Sequence, residues 1–128
     1  MAWSLFKSAD EPANNIASFW IPLTASVQLN ELLSASKEGF VLVFKHSTRC
    51  GISKNALKYF EKELDEVAQN NCYYLDLLNY RPVSNDIAQQ WEVEHQSPQL
   101  IVLKDGKVLF SASHEQIDAK VVNRLYQI

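Results

Sequence analysis

The chain has 128 residues, of which 47% are hydrophobic and 21% charged, and its formal net charge is −3. These values are typical of one globular domain that can bury a core, and they argue against a disordered chain. No apolar run approaches the roughly 20 residues that a membrane helix needs. Acidic and basic residues are interleaved along the chain, so we expect no basic face for nucleic acid.

The N-terminal stretch predicts an extension ahead of the domain. Residues 1–18 are small and polar, and Pro12 and Asn14 break any period, so we predict a mobile N-terminal extension and a domain over residues 19–128. Asp10 follows the first apolar residues too soon for a signal peptide, so the expected location is cytoplasmic. Two cysteines are too few for a secreted disulfide framework or a four-ligand zinc site.

The remaining pattern alternates between strands and helices. Apolar, β-branched and aromatic runs predict strands over residues 19–23, 39–46, 72–78, 100–103 and 108–112. Apolar residues at spacings of three and four predict helices over about 24–36, 51–70, 81–91 and 117–125.

The order of these elements predicts an α/β fold with a mixed sheet of about five strands, flanked by helices on both faces. The segment from Gly39 to His46 is apolar almost throughout its middle and predicts a central strand. Asp105 and Gly106 lie between the last two strands, where an Asp-Gly pair is a strong hairpin signal.

Cys50 lies where the central strand passes into the longest predicted helix. A sulfur at that position can face unpaired N–H groups and the positive end of the helix dipole, which stabilise a thiolate. Arg49, Lys54 and His46 are nearby in sequence and would support the same charge. Cys50 is therefore the candidate nucleophile, with an inert turn cysteine as the alternative.

Ser53 occupies the position of the second cysteine in a C-x-x-C redox pair. Its hydroxyl can donate to the thiolate or to a carbonyl of its own helix, but it cannot form a disulfide. Cys72 begins the next parallel strand and is expected at the opposite end of the sheet, beyond the roughly 7 Å that a disulfide allows between Cα atoms. The sequence thus predicts a single working thiol, with Cys72 in the core.

Ligands of α/β proteins bind at the carboxyl ends of parallel strands, where "NYRP" follows the third strand. Arg81 is therefore a candidate for holding an anionic group near the thiol, or else a solvated loop arginine. Ser97 and Pro98 precede the fourth strand, and their peptide bond could be trans or cis. His95 and His114 are weaker candidates, because most histidines are surface or hydrogen-bonded residues.

Four segments together carry a family resemblance: "FKHSTRCGIS", "YYLDLLNYRPVSNDIA", "HQSPQLIVLKDGKV" and "SASH". They resemble the YtxJ-type monothiol bacilliredoxins, thioredoxin-fold proteins of the bacillithiol redox system, from about Trp20 to the final helix. The resemblance implies a thioredoxin-like fold and a cytoplasmic thiol-disulfide oxidoreductase whose one cysteine removes bacillithiol from modified proteins.

Carried over by position, the resemblance makes Cys50 the nucleophile, Ser53 the serine of the motif, and Ser97-Pro98 a loop with a cis peptide bond. It implies bacillithiol as co-substrate and bacillithiolated proteins as clients, with no tightly bound cofactor and no metal. We expect a monomer or weak dimer. Family members commonly have proline directly after the cysteine, whereas this chain has Gly51, which loosens the turn.

Two other functions stay open at this stage. "RCGIS" approaches the "CGFS" of monothiol glutaredoxins, which bind a 2Fe-2S cluster with glutathione, although the cis-proline and glutathione-gripping segments of those proteins are not matched here. A redox-inactive binding module of the same fold is the third alternative. The acid that dithiol thioredoxins bury six residues before their first cysteine is replaced here by Phe44, which agrees with monothiol chemistry.

Overall fold

A computed structural model describes residues 16–127. Most of the predicted N-terminal extension, residues 1–15, lies outside the described residues. Ile16 and Ala17 pack against the core, and the Ala17 N–H donates to the Glu61 carboxylate at 2.9 Å.

The described residues form one five-stranded sheet flanked by four helices. The strands are β1 (Trp20–Pro22), β2 (Val41–His46), β3 (Cys72–Asp76), β4 (Gln99–Lys104) and β5 (Lys107–Ser113). The helices are α1 (Gln28–Ala35), α2 (Gly51–Glu63), α3 (Arg81–Gln90) and α4 (Ala119–Leu125), with single 3₁₀ turns at Glu66–Ala68 and His114–Gln116.

The sheet has the strand order β1-β3-β2-β4-β5. The pairs β1-β3 and β2-β3 are parallel, whereas β2-β4 and β4-β5 are antiparallel. This arrangement confirms the predicted mixed sheet, in which the parallel pairs lie on the β1 side and the antiparallel pairs on the β5 side. In the hairpin turn, Asp105 and Gly106 both have positive φ, 58° and 78°, as a two-residue type I′ turn requires.

All six residues of β2 are buried, as expected for a central strand. Leu42 and Phe44 face a core formed with α2 and α4. Val41 and Val43 face the other core, formed with α1 and α3. The helices therefore cover both faces of the sheet, because successive side chains of a strand point to opposite sides.

The predicted helix over residues 51–70 was too long. α2 ends at Glu63, and Leu64 is extended, with φ −74° and ψ 126°. The side chain of Asn123 on α4 caps this end: its Nδ2 donates to the Glu63 carbonyl at 3.0 Å, and its Oδ1 accepts from the Asp65 N–H at 2.8 Å. The prediction was too long because the buried residues Leu64 and Ala68 continue the apolar spacing of the helix beyond its end at Glu63.

The parallel pairing defines two ends of the sheet. The Cys50 end contains the last residues of β2 and β3, His46 and Asp76, and the first residue of β4, Gln99. The Cys72 end contains the beginning of β3, which pairs with Leu42, and the hairpin between β4 and β5. No helix within residues 16–127 has the length and apolarity needed to span a membrane.

Candidate active site

Cys50 lies in the turn between β2 and α2, as the sequence indicates. The Cys50 N–H donates to the Ser47 carbonyl at 3.2 Å, and α2 begins at Gly51. Cys50 is the N-cap residue, its backbone is extended, and no side chain caps the helix. The thiol is half-buried and outside any disulfide. The first-turn N–H groups and the helix dipole are thus positioned to stabilise an anionic sulfur.

Ser53 is fully buried, and its hydroxyl connects the strand to the helix. The Oγ accepts from the Ser47 N–H at 3.1 Å and lies 2.6 Å from Nδ1 of His46. The Oγ thus joins the backbone of the turn before Cys50 to the imidazole of His46. Ser53 therefore makes neither of the two hydrogen bonds predicted for it, to the thiolate or to a carbonyl of its own helix.

His46 is buried and uncharged, which corrects its expected part in supporting the thiolate. Burial lowers the pKa of His46 to about 4, with Asp76 opposing that shift and Lys54 adding to it. An imidazole with this pKa is neutral near pH 7. Its Nδ1 shares a hydrogen bond with the Ser53 hydroxyl, and the ring packs beside Tyr74 with 5.8 Å between the ring centroids. His46 is thus a structural partner of Ser53.

Arg49 and Lys54 remain the cationic side chains nearest to Cys50 in sequence, and both are exposed. Within the described part of the chain, neither forms an ion pair with a carboxylate. Arg49 lines a small cleft of about 370 Å³ together with Thr48, Leu78 and Asn79. Their charges are therefore free to act on an anionic group that approaches the thiol.

The Ser97-Pro98 loop lies at the Cys50 end of the sheet. Its peptide bond is cis, as the family resemblance implies. β4 runs antiparallel to β2, and Gln99 pairs with Lys45 near the end of the central strand. The His114 N–H donates to the Pro98 carbonyl at 3.1 Å, which brings the exposed His114 to the same edge.

Arg81 reaches this edge from the neighbouring strand. β3 runs parallel to β2, and the Leu77 N–H donates to the His46 carbonyl at 2.9 Å just beyond the last strand pair. Arg81 is the exposed first residue of α3 a few positions later. The structure therefore brings Cys50, the cis-proline loop, Arg81 and His114 to one end of the sheet.

Gly51 is the first residue of α2, and its surroundings are open. A Cβ built there would have no atom within 4 Å, apart from its chain neighbours, and its φ is outside the left-handed region. Neither space nor backbone conformation therefore requires glycine at this position. The departure from the family pattern leaves room for the proline that other members carry.

Cys72 is a core residue at the other end of the sheet, as the sequence predicts. It pairs with Leu42, four positions before His46, so about 13 Å of strand already separates it from the end of β2. It is fully buried, and its Sγ donates to the Ala68 carbonyl at 3.3 Å. Burial raises the pKa of Cys72 to about 12. This thiol is remote from Cys50 and protonated.

Sequence reasoning missed a buried polar cluster next to the site. Lys45 on β2 is fully buried, and its Nζ lies 2.9 Å from Nδ1 of His95. The buried Ser84 on α3 places its Oγ 3.2 Å from the same nitrogen. Burial lowers the pKa of Lys45 to about 8. The available signal was a lysine that interrupts the apolar central strand, but its partner is in a distant loop.

Among residues 16–127, no group of three or more histidine, cysteine or acidic side chains is arranged to hold a metal ion.

Comparisons with known proteins agree with this geometry. Residues 21–122 match the family model of the monothiol bacilliredoxin BrxC. A solved structure described as a candidate oxidoreductase with a thioredoxin fold is 31% identical, with a TM-score of 0.73, covering 83% of this chain and 92% of the other.

Two thioredoxins share the fold at lower identity. Fasciola hepatica thioredoxin is 18% identical, with a TM-score of 0.61, over 83% of this chain and 95% of its own. Mitochondrial thioredoxin 3 of Saccharomyces cerevisiae is 18% identical, with a TM-score of 0.59, over 87% and 98%. With a thioredoxin fold, one half-buried cysteine at a helix start and a family match over most of its length, this chain belongs to the monothiol bacilliredoxin family.

Proposed function

We propose that this protein removes bacillithiol from protein mixed disulfides, with Cys50 as the only nucleophile. The observation that carries the proposal is the position of Cys50 at the start of α2, at the same sheet end as the cis-proline loop. The other thiol, Cys72, is buried at the opposite end. Family membership supports a low-molecular-weight thiol system as the setting of this chemistry.

In the proposed reaction, the Cys50 thiolate attacks the bacillithiol sulfur of a mixed disulfide. A new disulfide forms between Cys50 and bacillithiol, the original disulfide breaks, and the client cysteine leaves as a thiolate that takes a proton from water. No net oxidation occurs, because one disulfide replaces another. Such exchange is fastest when the attacking thiol has a pKa near the ambient pH.

The surrounding residues have distinct parts in this proposal. Arg49 holds positive charge beside the thiolate, and Ser53 fixes the turn that carries Cys50 to the end of β2. The backbone of Ser97 and Pro98 pairs with the extended client or thiol, as an added strand does. Arg81 and His114 contact the bound thiol from the rim of the site.

The reaction needs an external reductant to complete its cycle. The sequence has only two cysteines, and Cys72 is too far from Cys50 to resolve the adduct. A second low-molecular-weight thiol or another redoxin must therefore remove bacillithiol from Cys50. We propose a cytoplasmic setting and a monomer or weak dimer, with bacillithiol as co-substrate rather than bound cofactor.

The test is to incubate the reduced protein with a bacillithiolated client and follow both proteins by intact mass. We expect the client to lose bacillithiol while the protein gains one adduct, and Cys50→Ser to abolish both changes. Cys72→Ser is the matched control and should behave as wild type.

Two results would favour the alternatives. Visible absorption of a cluster after reconstitution with iron and sulfide, without any bacillithiol adduct, would indicate glutaredoxin-like 2Fe-2S binding. Neither an adduct nor a cluster would indicate a redox-inactive binding module.

A further inference from the structure

A cluster of two cations and a histidine, without an acidic partner, lies beside the site on the face of the sheet covered by α3. It comprises the buried Lys45, the exposed His95 and the exposed Arg81. The pKa of His95 is lowered by burial and by the charges of Lys45 and Arg81, both of which are cations. Within residues 16–127, none of the three side chains is paired with a carboxylate. A buried ammonium without a counter-charge is unfavourable, so the cluster would be stabilised by an anion that approaches it.

The contact between Lys45 and His95 fixes the form of the imidazole. An ammonium group can only donate, so Nδ1 of His95 must accept its hydrogen bond at 2.9 Å. The single ring proton of the neutral imidazole is then on Nε2. Nδ1 faces the buried Lys45 and Ser84, so Nε2–H lies on the opposite, outer edge of an exposed ring. His95 therefore offers a hydrogen-bond donor to a ligand.

A second buried side chain on the same face of the sheet, Gln99, has an acceptor without a hydrogen-bond partner. Gln99 pairs directly with Lys45 across the β2-β4 ladder, so both side chains lie on one side of the sheet. The Gln99 side chain is 3% exposed; its Nε2 donates to the Glu94 carbonyl, whereas its Oε1 has no partner. Most buried acceptors are satisfied, so this oxygen is an unused acceptor on the same side of the sheet as Lys45.

The cluster is within reach of a small molecule bound at Cys50. Two strand residues and one tight turn separate Lys45 from Cys50, which places their Cα atoms within about 14 Å. Arg81 is the first residue of the ten-residue helix α3, whose N-cap, Tyr80, makes no side-chain capping hydrogen bond. The helix dipole adds positive potential at this point.

We propose that His95 and Arg81 bind a carboxylate of the low-molecular-weight thiol that reacts at Cys50, with Lys45 holding the imidazole in place from below. This inference rests on the proposed exchange reaction. It specifies the class of substrate that the site prefers, which is a thiol or disulfide with an anionic end.

The test compares three small disulfides of similar size and different charge: dithiodipropionate, hydroxyethyl disulfide and cystamine. In each case Cys50 forms a mixed disulfide with one half and releases the other half as a thiol. We expect the rate constants to fall from the anionic to the neutral to the cationic compound. The decisive quantity is the ratio of the anionic rate to the neutral rate.

We expect Lys45→Met, His95→Leu and Arg81→Gln each to lower this ratio roughly tenfold, because each removes a charge-assisted hydrogen bond or its support. His95→Gln should keep most of the ratio, since its amide can donate near the position of Nε2. Lys107→Met makes the same chemical change at the Cys72 end and should keep the wild-type ratio. His95 and Arg81 are exposed, so their variants should fold.

Each outcome decides a different point. If the ratio is the same in all variants while every disulfide reacts, the subsite is wrong and the proposed reaction stands. If the variants slow all three disulfides equally, the cluster has only a structural role and the subsite is again wrong. If wild type reacts with none of them, both proposals fail.

Discussion

The two ends of the sheet carry the same types of side chain in different chemical settings. At the Cys50 end, the cysteine is half-buried at the start of a helix, beside a cis-proline loop. At the other end, Cys72 is fully buried at the start of β3 and donates to a backbone carbonyl. The difference supports the proposal that a cysteine in this fold becomes reactive through its place at a helix start, not through the strand it borders.

Serines show the same contrast. Ser53 and Ser36 are both fully buried, and each makes two hydrogen bonds. Ser53 joins the turn before Cys50 to a neutral imidazole, whereas Ser36 joins the end of α1 to the hairpin turn through the Gly106 N–H. Similar hydrogen bonds of a buried serine thus connect neighbouring segments at both ends of the sheet, but only Ser53 lies in the first turn of the helix that follows a thiol.

The largest expected difference between the two ends is in alkylation. At pH 7, iodoacetamide should modify Cys50 readily and leave Cys72 unlabelled, since burial raises the pKa of Cys72 to about 12 and its thiolate fraction is on the order of 10⁻⁵. Intact mass should show one label in the native protein and a second only after unfolding in guanidinium. Equal labelling of both cysteines under native conditions would remove the contrast.

The next effect is a loss of stability in mild acid. The pKa of His46 is about 4 in the folded protein and about 6.5 when unfolded, so the unfolded state binds more protons between these values. The contribution of His46 to the free energy of unfolding should therefore be fully present above pH 6.5. The free energy of unfolding should fall by on the order of 3 kcal/mol as the pH drops to 4. Urea titrations at several pH values measure it.

His46→Asn should remove most of this acid dependence while keeping an acceptor for Ser53. His114→Asn, a change of an exposed histidine at the same end, should leave the dependence unchanged. The same pH profile in wild type and His46→Asn would show that another group causes it.

Ser53→Ala should destabilise the fold by about 1–3 kcal/mol, because it leaves Nδ1 of His46 and the Ser47 N–H without partners in the interior. Ser36→Ala removes a matched pair of hydrogen bonds at the other end and should have a similar cost in chemical denaturation. Only Ser53→Ala should also slow the reaction of Cys50 with a neutral disulfide. If both variants slow it equally, Ser53 has no specific part in positioning the thiol.

The smallest expected effect concerns glycine. Gly51→Pro should stabilise the fold by about 0.4–1 kcal/mol through the unfolded state. Proline suits the first position of a helix, and Cys50 before it is already extended, with φ −105° and ψ 120°. Gly106→Ala, at the other end, should instead destabilise, since its φ is 78° and a Cβ would lie 3.3 Å from Cε of Lys37. Thermal unfolding distinguishes the two signs.

The order of elements, the central strand and the place of Cys50 could be predicted from the sequence because each depends on local periodicity or on a single turn. The end of α2 could not, since Asn123 caps it from a helix that follows 60 positions later in the chain. The partners of Lys45 and Ser53 were equally hidden. The sequence shows that a lysine or histidine lies within an apolar strand and is therefore flanked by core residues. It does not show which distant group forms a hydrogen bond with that side chain.

The most direct test of the central claim follows the fate of bacillithiol on Cys50 in wild type and in Cys72→Ser. After reaction with a bacillithiolated client and removal of excess thiol, intact mass should show one stable bacillithiol adduct in both proteins, released only when an external thiol is added. Loss of the adduct in wild type, with the mass of an internal disulfide that Cys72→Ser lacks, would contradict the account, because the two ends of the sheet would then act together.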